Sequence, residues 1–280
     1  MRRAQALEES LQLVYAGGMS SNGTLTVTVL GSGTSAGVPM IGCHCAVCTS
    51  GDVRDKRSRP SIAVHYEGRS ILVDTSPELR LQAVATGLDR IDAVVFTHAH
   101  ADHIFGLDDV RRYNTIMGTP LPVYARRDAM TILHQAFGYA FANGKQEGVY
   151  RPELVAQEIT GPFDLFGQPW TPIAMPHGPG EVLGFRVGDF AYCTDCSAIP
   201  PAAEEKLQNL DVLIIDALRP RPHVTHLSFA QALEIIERLQ PRRAFFTHLS
   251  HDVRHVEIER DLPAHIRVCY DGLKIECESS

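Results

Sequence analysis

Ile91-Asp-Ala-Val-Val-Phe-Thr-His98-Ala-His100-Ala-Asp102-His103 sets the reading of the whole chain. The apolar run Ile91–Phe96, broken only by Asp92, predicts a buried strand. It runs into four ligand-type side chains within six residues, at the kind of strand end where α/β sheets present ligands. Alternate residues of an extended segment share a face, so His98 and His100 can grip one ion. Asp102 and His103 then turn into the next helix and can hold a second. Buried without metal, such a cluster would carry a heavy desolvation cost. The bland alternative is a polar loop with surface histidines, and the motif is specific by the standards of short patterns.

The chain has 280 residues, 44% of them hydrophobic and 21% charged, which suits a globular α/β protein with a large core. Its formal charge of -7 argues against a polyanion partner, since non-specific nucleic-acid binders are usually basic. No run approaches the roughly 20 apolar residues of a membrane helix. Glu8 and Glu9 stand where a signal core would lie. Seven cysteines are too few for a disulfide scaffold at this length, and the expected location is the cytoplasm.

Residues 1–22, with Leu7, Leu11 and Val14 at helical spacing, read as a peripheral N-terminal extension. Residues 23–280 read as a single domain with a helical insertion around 108–160. From Thr24 an alternation of Thr with Leu25, Val27 and Val29 predicts a strand, followed by the glycine-rich turn Gly31–Gly37. Strands are expected at 61–66, 70–74, 182–187, 190–194, 211–216 and 244–247. Helices are expected near 77–86, with Ser76 as N-cap and Pro77 at the first helical position, and over 127–142. Ser228-Phe-Ala-Gln231 is a capping box opening a helix that Pro241 ends. Phe96-Thr97-His98 recurs as Phe246-Thr247-His248, an internal echo. The turn Gly31-Ser-Gly33-Thr-Ser-Ala-Gly37 has no obvious following helix, so a dinucleotide fingerprint is rejected.

HxHxDH after an apolar strand resembles the metallo-β-lactamase fold, and the resemblance runs from about Thr24 to Ile275. It implies an α/β, four-layer αβ/βα sandwich of two mixed β-sheets. It also implies the remaining ligands: His177 in Met-Pro-His-Gly-Pro, Asp195 as a carboxylate between two metals, and His248 as the last histidine. Asp74 matches an early aspartate that supports the site without binding metal. By this resemblance His98, His100 and His177 hold one ion, Asp102, His103 and His248 the other, and Asp195 with a hydroxide bridges them. The nitrogen and oxygen donors suit zinc or manganese equally.

Two divalent ions roughly 3.5–4 Å apart lower the pKa of a shared water and clamp a phosphoryl oxygen. Their four positive charges exceed the three removed by Asp102, Asp195 and hydroxide, so an acidic chain can still attract an anion. Phosphodiester hydrolysis also needs a proton for the leaving alkoxide. His226 is the candidate donor, ahead of His223, and phosphodiesterases of this fold carry a histidine upstream of the last ligand. Helix capping alone is the competing account of His226.

Cys43-x-Cys45-x-x-Cys48 is a thiolate hook one ligand short of a tetrahedral zinc, with His251 the expected fourth and His44 the competitor. With the glycine turn, the hook resembles phosphoribosyl cyclic phosphate phosphodiesterases of the PhnP kind, which carry a structural zinc. Cys193 and Cys196 bracket Asp195 and are assigned no chemistry. Asp108, Arg111, Arg112, Tyr113 and His134 are expected to border the pocket. The expected function is therefore a dinuclear phosphodiesterase acting on a small cyclic ribose or nucleotide phosphodiester, with no membrane or general nucleic-acid partner. Homodimers are common in the fold, though no diagnostic interface is legible. The alternatives are a tRNA 3′-processing nuclease of the same fold, which needs a basic arm where this chain has only scattered Arg126, Arg127, Lys145 and Arg151, and an accessory protein like pyrroloquinoline quinone B. β-Lactam, thioester or lactone hydrolysis would leave His226 and the hook without a role.

Overall fold

The computed structural model describes residues 25–142 and 150–278; the expected extension at 1–22 lies outside them. In chain order the first half contains β1 (Leu25–Gly31), β2 (Ser61–Tyr66), β3 (Arg69–Val73), α1 (Leu79–Thr86), β4 (Ala93–Val95), α2 (Ala101–Ile104), α3 (Arg111–Met117), β5 (Leu121–Ala125), α4 (Arg127–Phe137) and β6 (Leu154–Glu158). The second contains β7 (Phe163–Leu165), β8 (Gln168–His177), β9 (Gly180–Val187), β10 (Phe190–Cys193), α5 (Pro201–Glu204), β11 (Val212–Asp216), α6 (Phe229–Leu239), β12 (Arg243–Thr247), α7 (His255–Asp261), β13 (Ile266–Val268) and β14 (Lys274–Cys277).

These strands form two seven-stranded sheets, ordered β14-β1-β2-β3-β4-β5-β6 and β13-β12-β11-β10-β9-β8-β7. Both are mixed. From β3 to β6 and from β10 to β13 neighbours run parallel, and the other pairs are antiparallel. Parallel strands buried on both faces favour apolar residues at every position, which is why β4 and residues 212–215 of β11 read as unbroken apolar runs. Val212 and Ile214 pack between the sheets with Trp170 and Phe185, whereas Leu213 and Ile215 face the outer helical layer with Ala232 and Ile236. Ala93 and Val95 share the central core, and Val94 and Phe96 pack outward with Leu107 and Leu133. Helices on both outer faces complete the expected four-layer αβ/βα sandwich. The buried indole N–H of Trp170 donates to Tyr66 Oη (3.2 Å), whose hydroxyl donates to Leu165 O (3.0 Å), so this polar edge is satisfied inside the core.

Three local expectations change. Ser76 does not cap α1, which starts after Glu78; its hydroxyl donates instead to Gln82 Oε1 (2.8 Å) inside the loop after β3. The helix expected over 127–142 ends at Phe137, and a short 3-10 turn follows over Gly138–Ala140. The stretch around 108–160 is not wholly helical, because β5 and β6 widen the first sheet from within it. The short alternation of β5 around Pro122 and the exposed residues of the edge strand β6 gave little periodic signal. The capping box at Ser228 and Gln231 forms as read, and α6 stops at Gln240, in the left-handed region just before Pro241. Among the described residues no helix is long and apolar enough to cross a membrane.

Gly31 and Gly33 of the glycine turn lie so close to the Arg57–Arg59 backbone that a Cβ would stand 1.9 Å from Arg59 O and 2.5 Å from Arg57 O. Close packing explains these glycines without any phosphate. Gly106 does the same job after α2: its N–H donates to Thr75 O (2.9 Å), and a Cβ there would meet Ser76 O at 2.0 Å. Gly106→Ala must therefore push the Asp74–Ser76 loop off the α2 turn. A destabilisation of about 1–3 kcal/mol is expected, with a fall in bound metal per chain, read by thermal melts and metal analysis.

Candidate active site

The parallel strands of both sheets end on one seam, and the sequence-read site residues sit at or just past a strand end, apart from Asp102 and His103, which lie on α2. Asp74 follows β3, His98 and His100 follow β4, His177 ends β8, Asp195 follows β10 and His248 follows β12. Asp74, Asp195 and His248 all have left-handed backbones, with φ of 62°, 58° and 60°. Non-glycine residues rarely adopt this conformation, and the strain cluster typically marks a functional site. It turns each side chain sharply off the strand axis and into the seam. The internal echo acquires a structural meaning here, since Phe96-Thr97-His98 and Phe246-Thr247-His248 leave corresponding parallel strands of the two sheets.

Two adjoining groups of donors result. One donor atom from each of His98, His100 and His177 lies within 4.8 Å of the others, as do those of Asp102, His103, Asp195 and His248. Asp195 also groups with His177 and His226, so its carboxylate stands between the two sets. His248 Nε2 is 3.2 Å from Asp195 Oδ1, and His103 Nε2 is 3.3 Å from Asp195 Oδ2 and 3.4 Å from Asp102 Oδ2. The other face of His103 is fixed: Nδ1 contacts Asp74 Oδ2 at 2.7 Å. Asp74 in turn accepts from the Thr97 N–H (2.9 Å) and the Thr97 hydroxyl (2.8 Å), and that hydroxyl oxygen lies 2.9 Å from His98 Nδ1. His177 Nδ1 donates to Thr225 O (3.0 Å). Each of these contacts occupies Nδ1 and leaves Nε2 for the seam.

The inward nitrogens have no hydrogen-bond partner. His98 Nε2, His103 Nε2 and both ring nitrogens of His248 are buried and unpaired. Buried polar atoms are almost always satisfied, and orphans of this kind cost about 1–3 kcal/mol each. A cation between them would remove that cost, and the all-nitrogen-and-oxygen donor set suits a divalent ion. The residues present therefore fit the metals implied by the sequence.

Electrostatics of the protein alone point the same way. Burial holds His98 well below the usual histidine range. Burial would also lower His103, but the Asp195 and Asp74 carboxylates push it well above that range. Burial opposes ionisation of Asp195, yet His248 and His103 hold its carboxyl well below the ordinary value. Burial opposes ionisation of Asp102 too, and the His103 imidazole beside it holds its carboxyl at about 2. Negative charge is thus concentrated where a cation would be shared.

One functional residue was missed by the sequence reading. Asp216, at the C-terminal end of β11, accepts from His226 Nδ1 (2.9 Å) and from the Cys196 N–H (3.0 Å). Its signal was present: it ends the expected strand 211–216, as Asp74 ends its own. The His226 ring lies over His248, with centroids 4.5 Å apart, and 5.0 Å from that of His177. His223 lies outside it, its Nδ1 taken up by the Thr225 N–H (3.3 Å) and the Thr225 hydroxyl (3.1 Å). Arg111 pairs with Asp108 (2.7 Å) and stacks on Tyr150, and it lines, with Arg112 and Tyr113, a separate surface groove. His134 packs on Phe141. None of these joins the donor groups found among the described residues.

The cysteine hook closes on the expected histidine. His251 Nδ1 is 3.2 Å from Cys43 Sγ and 3.4 Å from both Cys45 Sγ and Cys48 Sγ. A tetrahedral zinc with ordinary Zn–S and Zn–N lengths needs a sulfur-to-nitrogen edge of about 3.5 Å. His44 is exposed and outside the group. The Cys45 thiol is lowered to about 6, first by the Cys48 N–H, whereas burial raises Cys48 to about 11. The active-site histidine His248 lies only three residues before His251.

Asp74→Asn should lower affinity for the active-site metal about 10–100-fold, measured by competition with a chromogenic chelator, because His103 loses its anchor. Cys48→Ser should remove one tightly held zinc per chain and lower Tm by at least about 4 °C. Retention of that zinc would overturn the hook assignment.

A family model described as "Beta-lactamase superfamily domain" matches residues 69–249. A crystal structure described as a new diphosphatase from the PhnP family is 45% identical, covers 90% of this chain and 97% of its own, and superposes with a TM-score of 0.84. A Porphyromonas gingivalis protein named octanoyltransferase is 37% identical over 252 residues, and this chain spans 50% of its length. Zinc-bound PqqB from Methylobacterium extorquens, 20% identical, shares the fold at a TM-score of 0.73 over 89% of this chain and 99% of its own. The family match over most of the seam, and near-full-length similarity at 45% identity, place the chain in the beta-lactamase superfamily as a metallo-β-lactamase-fold hydrolase of the PhnP family.

Proposed function

We propose that the protein hydrolyses a small phosphodiester, with a cyclic ribose phosphate or cyclic nucleotide as substrate class, using two divalent ions, zinc or manganese. The observation that carries this reading is the pair of adjoining donor groups, with Asp195 of one also grouped with His177 of the other, and His226 held beside them by Asp216. His98, His100 and His177 would hold one ion, Asp102, His103 and His248 the other, and Asp195 both. When bound, the pair supplies an ionised water near neutral pH and positive charge opposite a phosphoryl group.

The chain's own residues do the rest. Asp74 and Thr225 O fix His103 and His177 through Nδ1, so neither ring can turn away from the seam. Asp216 occupies Nδ1 of His226, so the transferable proton is the one that Nε2 carries when the ring is doubly protonated. From there the proton passes to the alkoxide oxygen as the P–O bond breaks. Burial lowers His226 from the usual histidine range, against the upward pull of Asp195 and Asp102. The lowering makes the doubly protonated ring the stronger acid at Nε2. The hook would hold a structural zinc outside this chemistry.

A second reading, cleavage of a diphosphate linkage, is favoured by the PhnP-family relative described as a diphosphatase. A tRNA-processing role is disfavoured by the net charge of -7, and a salt-dependent tRNA-binding assay tests it. Metal-loaded protein should hydrolyse bis-p-nitrophenyl phosphate and 2′,3′-cyclic nucleotides. Chelation should abolish that activity, and zinc or manganese should restore it. His226→Ala should lower kcat by about 10²–10⁴-fold with metal content unchanged, and Asp216→Asn should lower it less. Unaltered turnover in His226→Ala would remove the proton donor.

A further inference from the structure

Helices usually turn apolar residues inward, yet α1 buries Gln82 beside Leu79 and leaves Leu81 and Val84 60% and 73% exposed. A buried amide is costly unless it is hydrogen-bonded, and Gln82 is bonded at both of its polar atoms. Nε2 donates to Ser58 Oγ (2.8 Å) and Arg59 O (2.9 Å), while Oε1 accepts from the Ser76 hydroxyl (2.8 Å). From Ser58 the line continues to Asp271, whose Oδ2 accepts from the Ser58 hydroxyl (2.6 Å) and N–H (2.7 Å). Its Oδ1 accepts from the Ser32 hydroxyl (2.8 Å) and N–H (2.9 Å). Gly31 makes room for the crossing, since a Cβ there would stand 2.5 Å from Gln82 Nε2. An unbroken relay of hydrogen bonds thus joins Ser76 to Ser32 through Gln82, Ser58 and Asp271.

The two ends of this relay hold two halves of one donor group. At the Ser76 end, the preceding Thr75 N–H donates to His103 O (2.7 Å), and Asp74 Oδ2 lies 2.7 Å from His103 Nδ1. At the Ser32 end, Ser32 O accepts from the Leu249 N–H (2.9 Å) and the Thr34 N–H donates to Leu249 O (3.1 Å). The residue after His248 is thereby gripped from both sides. Asp271 itself lies between β13 of the second sheet and β14 of the first. The relay therefore ties the loop that orients His103, from one sheet, to the loop that carries His248, from the other. The second donor group is anchored differently, with Thr97 Oγ1 against His98 Nδ1 (2.9 Å) and Thr225 O accepting from His177 Nδ1 (3.0 Å). We infer that Gln82 and Asp271 are positioning residues, which set the spacing of His103 and His248 and so the affinity of that donor group for its cation. The group of His98, His100 and His177 keeps its own affinity without them. This inference rests on the two-ion reading of the seam and is independent of which phosphoryl compound is cleaved. General loosening of the fold would weaken both groups alike, so the signature of positioning is a loss confined to one.

The test titrates manganese into protein whose hook carries zinc, because thiolates do not favour manganese, and reads bound ion from the loss of the free-ion EPR signal. His100→Ala isolates the group with His103 and His248, and His248→Ala isolates the other. On the first background Gln82→Met should lower manganese affinity about 10-fold, and Asp271→Asn, whose amide would face N–H and O–H donors, at least as much. On the second background each should change it by less than about twofold. Combined, the two substitutions should cost little more than the larger alone, since either one already breaks the relay. Ser58→Ala removes one hydroxyl and keeps the backbone bonds, so it should give the same selective loss, smaller in size, even where Asp271→Asn fails to fold. Equal loss on both backgrounds overturns the inference, as does no loss from folded Gln82→Met and Ser58→Ala on the first. If neither background binds manganese, the two-ion reading itself falls and takes the relay with it. A selective loss in protein that cleaves no phosphodiester sinks only the proposed reaction.

Discussion

Unpaired imidazole nitrogens and ionised carboxylates meet in a buried seam where two sheets end, and this is the constraint under which the rest of the structure is arranged. Placing them there requires three non-glycine residues in the left-handed region, Asp74, Asp195 and His248, a conformation costing of the order of 1–3 kcal/mol each. Loops with spare freedom would relax out of it. The seam holds because strong local contacts over-determine each turn. Thr97 gives Asp74 both a backbone and a hydroxyl donor, the Thr194 hydroxyl donates to Asp195 (2.7 Å), and the Leu249 N–H beyond His248 donates to Ser32 O (2.9 Å). The two large apolar cores outside the sheets and the one between them make the framework stiff enough to sustain that strain.

The cysteine hook belongs to the same mechanical arrangement. Its histidine, His251, lies on the loop that starts at His248, and that loop is pinned a second time by Arg57. The fully buried Arg57 guanidinium donates to Ser250 O (2.5 Å), to Val253 O (3.1 Å) and to Asp55 (3.0 Å), and Asp55 also accepts from the His255 N–H (2.7 Å). Burying an ion pair of this kind gains little stability in itself, because desolvation offsets the attraction. What it does is fix geometry: removing either partner would strand a charge in the core. The cysteine hook on one side and a buried guanidinium on the other hold the 248–255 loop, which limits the freedom of His248 to swing away from Asp195.

The sequence was legible where chemistry and periodicity coincide. An apolar strand running into His98-x-His100-x-Asp102-His103 identifies the fold, the strand and half of the donors at once. His177, Asp195 and His248 carry no local signal and were reached only by resemblance, because their meaning comes from strands up to 150 residues apart meeting at one seam. Asp216 was overlooked for a related reason: it ends an expected strand, but its partner His226 lies on a loop whose course periodicity does not predict. The misplaced cap at Ser76 shows the converse. Local propensity favoured a helix start there, and tertiary packing took the hydroxyl for Gln82 instead. In the 108–160 stretch, β5 alternates buried and half-buried residues around Pro122 and the edge strand β6 is largely exposed, so neither gave an apolar run and both were read as part of a helical insertion.

The charge pattern resolves an apparent contradiction between an acidic chain and the anionic substrate proposed for it. Negative charge is not spread evenly. At the seam Asp102 and Asp195 face imidazoles and are positioned to be outweighed by divalent ions, so the local field there reverses sign when metal binds. At the rim of the cavity beside it, Asp128 and Glu181 face only Arg126 and stay in excess. For the phosphodiester proposed above, attraction at a metal-loaded seam would act against the excess carboxylates at the rim, so what governs binding is where charge sits and not the net charge of the chain.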